Sequence, residues 1–278
     1  MKNFTLNCKG RLLAINEPIV MGILNLTSDS FFDGGKYTNE KAVLLHVEQM
    51  LKEGASIIDI GGMSTRPNAQ IIKEEEELKR VIEPIGAIHR HFPEAILSID
   101  TIRSRVAEEA ILHGVSIVND ISGGTEDERI FEVAAKYTCP LILMHRQGNL
   151  KNMHKETSYE HLLTDILDYF IRQTNKAKEF GIKDVIIDVG FGFSKTIDQN
   201  YEVLKHLSIF KQLDKLILVG LSRKSMLYKL LNTTAENTLN ATTIVNTIAL
   251  QNGANILRVH DVKEAMECIK VYNQLNNQ

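Results

Sequence analysis

Short apolar runs recur along the chain, and segments with helical spacing of their apolar residues lie between them. The runs are continuous rather than alternating, which is typical of parallel strands that are buried on both faces. Eight runs are predicted to be strands: Ile19–Leu24, Ser56–Ile60, Ala95–Ile99, Ser116–Asn119, Pro140–Met144, Asp184–Asp188, Leu216–Gly220 and Asn255–Val259. Because no linker interrupts these strand–helix units, the pattern predicts one α/β domain over residues 1–278, a single (β/α)₈ TIM barrel.

The segments around these strands carry further structural signals. In Glu74–His91, four apolar residues occupy the i, i+3, i+4 and i+7 positions of one helix face. A later helix is predicted to have Glu160 in a capping box at its start and Gly181 just beyond its end. Before the first barrel strand, Phe4–Asn7 and Arg11–Ile15 predict a short β-hairpin that caps the N-terminal end of the barrel.

The composition indicates a soluble globular protein whose partners are small molecules. Hydrophobic residues make up 44% of the chain and charged residues 24%, and the net charge is -3 without a long basic block. This charge balance argues against a nucleic-acid or membrane partner. The three cysteines are far apart and lack C-x-x-C spacing, and no apolar run has the length of a membrane span. We therefore expect a cytoplasmic protein without a disulfide framework or a zinc site.

Polar side chains follow nearly every predicted strand, at the end of a parallel barrel where catalytic groups gather. In chain order they are Asn25, Asp59, Ser64, Thr65, Arg66, Asp100, Asn119, Asp120, His145, Asp188, Ser222, Arg223, Lys224, Ser225, Arg258 and His260. Any one of them is explained equally well as the N-cap of the next helix. Their number and their common end of the barrel favour a binding site.

Three of these groups predict the shape of a ligand. Asp100 and Asn119 end strands at barrel depth, where an unpaired carboxylate or amide costs about 1–3 kcal/mol, so each requires a partner. Asp188 joins them at the same mouth. A carboxylate accepts two N–H bonds and an amide reads a mixed donor and acceptor face, so the trio suits the edge of an amino-pyrimidinone ring.

The last two strands bring positive or proton-donating groups to the same mouth. Lys224, Arg258 and His260 follow strands seven and eight, where barrels often bind phosphate. Arg223 and Lys224 also precede a helix, and two cations at a helix N-terminus require a compensating anion. We therefore predict a heterocyclic ligand with an anionic part.

The segment Met21-Gly22-Ile23-Leu24-Asn25-Leu26-Thr27-Ser28-Asp29-Ser30-Phe31-Phe32-Asp33-Gly34-Gly35 resembles the first-strand signature of the dihydropteroate synthases. Further segments resemble later motifs of that family, in the same order: Ser64–Pro67, Ser98–Asp100, Asn119–Ile121, Leu143–His145, Gly190–Phe193, Ser222–Ser225 and Arg258–His260. The resemblance implies that p-aminobenzoate displaces pyrophosphate from 6-hydroxymethyl-7,8-dihydropterin diphosphate to give 7,8-dihydropteroate for folate biosynthesis. It also implies Mg²⁺ as a cofactor, a homodimer, and sulfonamides in the place of p-aminobenzoate.

The resemblance further implies roles for individual residues. The pterin pocket would be formed by Asp100, Asn119, Ile121, Met144, Asp188, Phe193, Gly220, Lys224 and Arg258. The p-aminobenzoate side would be formed by Phe31, Asp33, Thr65, Arg66, Pro67 and Ser225. The diphosphate would bind Asn25, Arg66, Arg258 and His260, with Asn25 also a Mg²⁺ ligand. The catalytic groups would be Lys224, Arg258, His260, Asp100 and Asp188.

Four residues depart from the family's pattern: Ser28, Phe32, Asn68 and Val189. Lost proline or glycine changes backbone restriction rather than chemistry, so we expect altered loop closure, KM or sulfonamide affinity. Two alternatives remain open at this point. One is the related methyltetrahydrofolate-binding barrel of corrinoid methyltransferases, and the other is a paralogue that binds pterin without turnover.

Overall fold

A computed structural model of the chain describes residues 2–26, 36–64, 71–148 and 156–276. The described residues form ten strands: β1 (Phe4–Cys8), β2 (Arg11–Ile15), β3 (Ile19–Asn25), β4 (Ile57–Gly61), β5 (Ile96–Asp100), β6 (Ile117–Asp120), β7 (Leu141–Met144), β8 (Val185–Asp188), β9 (Leu216–Val219) and β10 (Ile256–Val259). The described helices are α1 (Lys36–Glu53), α2 (Glu74–His91), α3 (Ser104–Leu112), α4 (Arg129–Lys136), α5 (Leu162–Glu179), α6 (Ile197–Lys205), α7 (Ser225–Leu230), α8 (Leu239–Gln251) and α9 (Val262–Asn276). Two short 3₁₀ helices, Leu207–Leu213 and Ala235–Asn237, flank α7 in the sequence.

Strands β3 to β10 close into a barrel, in the order β10-β3-β4-β5-β6-β7-β8-β9. The neighbouring strands are parallel, from β3 with β4 to β10 with β3. Each predicted strand lies within one residue of its observed bounds. The prediction of a (β/α)₈ TIM barrel is confirmed, because eight parallel strands close into a barrel and are buried on both faces, as their continuous apolar runs indicate.

Apolar side chains inside the barrel form a core distinct from the one beneath the helices. Ile57, Ile96, Ile117, Ile142 and Ile186 are fully or almost fully buried and belong to one cluster, with one residue from each strand from β4 to β8. A larger cluster packs the outer faces of the strands against the helices. The lower half of the barrel, at the N-terminal ends of its strands, is therefore a filled core, and the candidate site residues lie at the upper end, where the strands end.

The predicted N-terminal hairpin is confirmed. β1 and β2 pair antiparallel, with Phe4 opposite Ile15 and Cys8 opposite Arg11. Leu6, Cys8 and Ile15 are buried in the same cluster as the barrel interior. The hairpin therefore closes the N-terminal end of the barrel, as expected, and leaves the opposite end for ligands.

The helix predictions are confirmed except for one cap. α2 covers the predicted segment, and Gly181 lies just beyond α5 with a φ of +84°, which suits a C′ glycine. The capping box at Glu160 is wrong, because α5 begins two residues later at Leu162. There the carboxylate of Asp165 accepts the backbone N–H groups of Glu160 and His161, at 3.1 and 3.2 Å. A first-turn aspartate that reaches back thus replaces the predicted cap.

Within the described ranges, every helix is too short or too polar to cross a lipid bilayer.

Candidate active site

Arg258, at the end of β10, lies between two carboxylates at the upper end of the barrel. Its Nε donates to Oδ2 of Asp59 at 2.6 Å, and its Nη2 donates to Oδ2 of Asp100 at 2.7 Å. Asn119 Nδ2 donates to the same Asp59 oxygen at 3.0 Å. The side chain of Asp59 is 0% exposed, whereas that of Asp100 is 12% exposed. Asp59 therefore anchors two predicted ligand-binding residues from inside the barrel.

This role of Asp59 was not predicted from the sequence. The residue stands within the otherwise apolar run Ile57–Ile60, and its strand neighbour is Ser98, two residues before Asp100 along β5. A buried carboxylate in an apolar strand requires a charged or hydrogen-bonding partner. That signal identifies Asp59 as unusual, but it does not reveal which residue is the partner.

Asp100 and Asp188, the two mouth carboxylates, lie in surroundings that disfavour their charged form. Burial raises the pKa of Asp100 to about 7, with Arg258 opposing the rise and Asp59 adding to it. Burial also raises the pKa of Asp188, opposed by the N–H of Gly190, which donates to Asp188 Oδ1 at 2.8 Å. A ligand that offers N–H groups would stabilise such buried carboxylates, because its hydrogen bonds replace those that water would otherwise provide.

Lys224 lies at the N-cap of α7, with its Nζ 4.4 Å from the centroid of the Phe193 ring. Gly192 permits this approach, since a Cβ there would lie 3.1 Å from Lys224 Cδ. Burial and, to a lesser extent, the charge of Arg258 lower the pKa of Lys224 to about 8, while Asp188 and Asp100 oppose the decrease. A partly desolvated ammonium over an aromatic ring interacts strongly with an added negative charge.

Arg223 departs from the expectation that both cations at this helix start await a bound anion. Its Nη2 and Nε donate to the two carboxylate oxygens of Asp261 at 2.6 and 3.1 Å. The protein thus supplies the anion for Arg223, whose backbone is left-handed with a φ of +58°. Only Lys224 of the two faces the site carboxylates.

His260, two residues after Arg258, is held by Ser222, whose Oγ lies 3.0 Å from His260 Nδ1. Burial lowers the pKa of His260 to about 4, and Arg223 and Arg258 add to the decrease. The imidazole is therefore neutral at pH 7. His260 was expected to bring either positive charge or a proton donor, and in the free protein it can act only as an N–H donor. An arriving diphosphate would favour the charged form.

An apolar cluster borders these polar groups on the upper side of the barrel. It consists of Met63, Ile102, Ile121, Met144 and Phe193, each at most 8% exposed. The last three were predicted pterin contacts, and the structure brings them together. Met63 and Ile102, which lie two residues beyond β4 and β5, were not among the predicted pterin contacts.

Gly220, another predicted pterin contact, follows β9. A Cβ at this position would meet no described atom within 4 Å, so the glycine borders open space. This open space and the neighbouring apolar cluster, together called the apolar slot, are suited to a flat ring whose edge reaches the polar groups.

Asn25 ends β3 near Asp100. It pairs in register with Gly61, and a Cβ on that glycine would lie 3.8 Å from both Asn25 Oδ1 and Asp100 Oδ2. An amide oxygen is a hard ligand, and Mg²⁺ commonly binds one or two protein oxygens with phosphates and water completing its shell. Asn25 therefore fits a metal held jointly with a diphosphate. In the described parts of the chain, His, Cys, Asp and Glu form no cluster of three that could hold a metal alone.

Five predicted site residues lie outside the described residues: Phe31, Asp33, Thr65, Arg66 and Pro67. The departures Ser28, Phe32 and Asn68 also lie outside them. Ser225 is described and opens α7 directly after Lys224, while Val189 is wholly buried. The described part of the site thus contains the predicted pterin contacts and most of the predicted diphosphate contacts.

Comparison with known proteins gives a consistent result. Residues 21–260 match the family described as Pterin binding enzyme. The dihydropteroate synthase of Haemophilus influenzae is 39% identical over 274 residues, which cover 98% of this chain and 99% of the relative. The dihydropteroate synthase of Clostridium beijerinckii is 43% identical over 255 residues, covering 91% of this chain and 92% of the relative.

Two solved structures agree closely with the fold. The Yersinia pestis dihydropteroate synthase in complex with a sulfonamide drug has a TM-score of 0.92 and 40% identity, covering 99% of this chain and 100% of that one. The Xanthomonas albilineans enzyme in complex with 7,8-dihydropteroate has a TM-score of 0.88 and 30% identity, with the same coverage. The chain therefore belongs to the pterin-binding enzymes, in the dihydropteroate synthase family.

Proposed function

We propose that the protein is a transferase that joins p-aminobenzoate to 6-hydroxymethyl-7,8-dihydropterin diphosphate. The bond between the exocyclic methylene carbon and the diphosphate oxygen breaks, a carbon–nitrogen bond forms, and pyrophosphate and a proton are released. The observation that carries the proposal is the convergence of Asp100, Asn119 and Asp188 beside an apolar slot. These groups match the amino-pyrimidinone edge of a pterin, and dihydropteroate is the ligand of the related Xanthomonas albilineans structure.

Stabilisation of the leaving group should dominate the catalysis. An aniline nitrogen is a weak neutral nucleophile, whereas an electron-rich dihydropterin delocalises positive charge at its methylene carbon as the diphosphate departs. Asp100 and Asp188 would stabilise that cationic ring, because each is a buried carboxylate at the mouth. A strong general base is therefore unnecessary for this reaction.

The departing negative charge would be met by groups at the last two strands. Arg258 uses two N–H groups for Asp59 and Asp100, and a guanidinium has five, so donors remain for the diphosphate. His260 would add an N–H bond, and Lys224 would add positive charge over the ring of Phe193. Asn25 would hold Mg²⁺ together with the diphosphate, where the metal neutralises charge on the leaving group.

The p-aminobenzoate side is proposed from the family resemblance. It would be formed by Phe31, Asp33, Thr65, Arg66, Pro67 and Ser225, with Arg66 also reaching the diphosphate. Sulfonamides would occupy the same place, as a sulfonamide drug is bound to the related Yersinia pestis enzyme. We also propose a cytoplasmic location, which suits the three buried free cysteines.

A homodimer is proposed as the active assembly. Leu230, Leu231, Leu239, Ile244 and Ile248 are exposed large hydrophobic residues on or beside α7 and α8. Ile244 and Ile248 lie four residues apart and so share one face of α8. Exposed apolar residues on a helix face favour contact with a second copy of the chain.

The dimer proposal predicts a change of mass on substitution of that face. Sedimentation equilibrium should give the mass of two chains for the wild type and of one chain for the double variant Ile244→Glu, Ile248→Glu, because buried charges oppose association. Leu12→Glu is the control, since Leu12 is a still more exposed apolar residue, at 69% against 52% for Ile244 and 37% for Ile248, but lies on the N-terminal hairpin. A wild type that sediments as a single chain would contradict the proposal.

Product formation tests the proposed reaction. The purified protein is incubated with dihydropterin diphosphate, radiolabelled p-aminobenzoate and Mg²⁺, and a parallel sample contains excess EDTA. We expect labelled dihydropteroate in the first sample and little in the second. Tight pterin binding without any product would instead favour a non-catalytic paralogue.

The lowered pKa of Lys224 predicts a decline of activity in alkaline solution. In the free enzyme the ammonium loses its proton as pH rises through about 8, so kcat/KM for the pterin substrate should decrease above that pH. Lys224→Arg keeps the charge and should move the decrease to higher pH, while Lys224→Ala should remove most activity. An unchanged alkaline decrease in Lys224→Arg would show that another group is responsible.

A further inference from the structure

Lys195 is a buried lysine between β8 and α6 that the reaction described above does not use. It is 8% exposed. Its Nζ lies 3.1 Å from the carbonyl oxygen of Gly190, 3.2 Å from that of Phe193 and 3.2 Å from Nδ1 of His145. An ammonium has three N–H donors and no acceptor, so three internal acceptors satisfy it completely. A lysine in this state is built into the fold rather than solvated.

The backbone that Lys195 binds has an unusual conformation. Gly190, Gly192 and Ser194 have φ angles of +71°, +80° and +50°, and Phe193 N–H donates to the Gly190 carbonyl at 3.1 Å. Three left-handed residues among five give a tight loop, and the non-glycine Ser194 adds strain. Such a loop needs contacts that hold it, and the Lys195 ammonium binds two of its carbonyls at once.

Each of those two residues leads directly to a pterin-site group. Gly190 accepts from Lys195 through its carbonyl and donates its N–H to Asp188 Oδ1 at 2.8 Å. Phe193 accepts from Lys195 through its carbonyl, and its ring lies under the ammonium of Lys224. Gly190 therefore connects Lys195 to the carboxylate of Asp188, and Phe193 connects it to the aromatic face of the site.

The groups around Lys195 act on its pKa in opposite directions. Burial lowers its pKa to about 7, Asp188 opposes the decrease, and Lys224 adds to it. Burial and Lys195 lower the pKa of His145, so the imidazole is neutral and its Nδ1 accepts. The ring of His145 is fixed by an edge contact with Tyr169 at 4.9 Å between centroids. The acceptor beneath the ammonium is thus rigid.

We propose that Lys195 is a positioning residue for the pterin ring, which orients Asp188 through Gly190 and places the ring of Phe193. It does not touch the substrate. The inference rests on the proposed function, because it assumes that a pterin occupies the slot beside these two groups. It predicts that loss of the ammonium weakens ring binding while the fold persists.

The test is calorimetric binding of 6-hydroxymethylpterin, which contains the ring but no diphosphate. Lys195→Met keeps the aliphatic stem and removes the charge. It should raise the dissociation constant about tenfold, which corresponds to a loss of about 1.4 kcal/mol of binding free energy. KM for the pterin substrate should rise in parallel, with KM for p-aminobenzoate within about twofold of wild type. Lys205→Met, on the exposed side of α6, is the matched control and should bind as the wild type does.

A second variant decides the question if Lys195→Met does not fold. His145→Phe keeps an aromatic ring against Tyr169 and removes one acceptor of the ammonium, so it should weaken pterin binding about threefold or more, which is about 0.6 kcal/mol or more. If Lys195→Met folds and binds the pterin with wild-type affinity, the positioning role is overturned. If Lys195→Met does not fold, wild-type affinity in His145→Phe overturns it. A wild-type protein that does not bind the pterin overturns both this role and the proposed function.

Discussion

The ion pair between Asp59 and Arg258 is the interaction on which the upper end of the barrel depends. An unpaired buried carboxylate costs several kcal/mol, so Asp59 requires the guanidinium that reaches it from β10. The same oxygen accepts from Asn119, which places that amide beside the pair. With its Nε fixed, Arg258 extends Nη2 to Asp100 and keeps its other donors for a ligand. One buried charge thereby orients three groups of the candidate site.

The rest of the site follows from this fixed centre. On one side Asp100, Asn119 and Asp188 offer a polar edge next to a compact apolar slot. On the other side Arg258, Lys224 and His260 gather donors and positive charge at the ends of the last two strands. A molecule with a heterocyclic edge and an anionic leaving group spans both sides. Such preorganised charge stabilises a departing diphosphate because it needs no reorientation during the reaction.

The barrel and most of the described site were predictable from the sequence, because both follow from local patterns. Continuous apolar runs located the strands, and the polar residue after each run lies at one mouth by the geometry of parallel barrels. The partners of those residues were not predictable. Asp59 and Arg258 lie 199 positions apart in the chain, and Arg223 finds its anion in Asp261. Lys195 resembles an ordinary lysine before a helix until its three acceptors are located in space.

Charge states were also beyond the sequence, since burial decides them. His260 was expected to bring positive charge or a proton, and its surroundings make it a neutral imidazole at pH 7. The cap of α5 was wrong for a different reason, because the carboxylate of Asp165 binds the backbone N–H groups of Glu160 and His161 and the helix begins only at Leu162. Local sequence patterns indicate which residues can form the site or cap a helix. Contacts between residues distant in sequence, and the choice between neighbouring side chains at a helix start, decide which of them do so.

The most direct test of the central claim is the affinity of Asp59→Asn for 6-hydroxymethylpterin, measured by calorimetry beside the wild type. The substitution keeps the size of the side chain and removes the charge that holds Arg258. We expect affinity to decrease at least about tenfold, which is about 1.4 kcal/mol, with an unchanged circular dichroism spectrum. Wild-type affinity in a folded Asp59→Asn would contradict the account, because the mouth would then be ordered without the buried carboxylate.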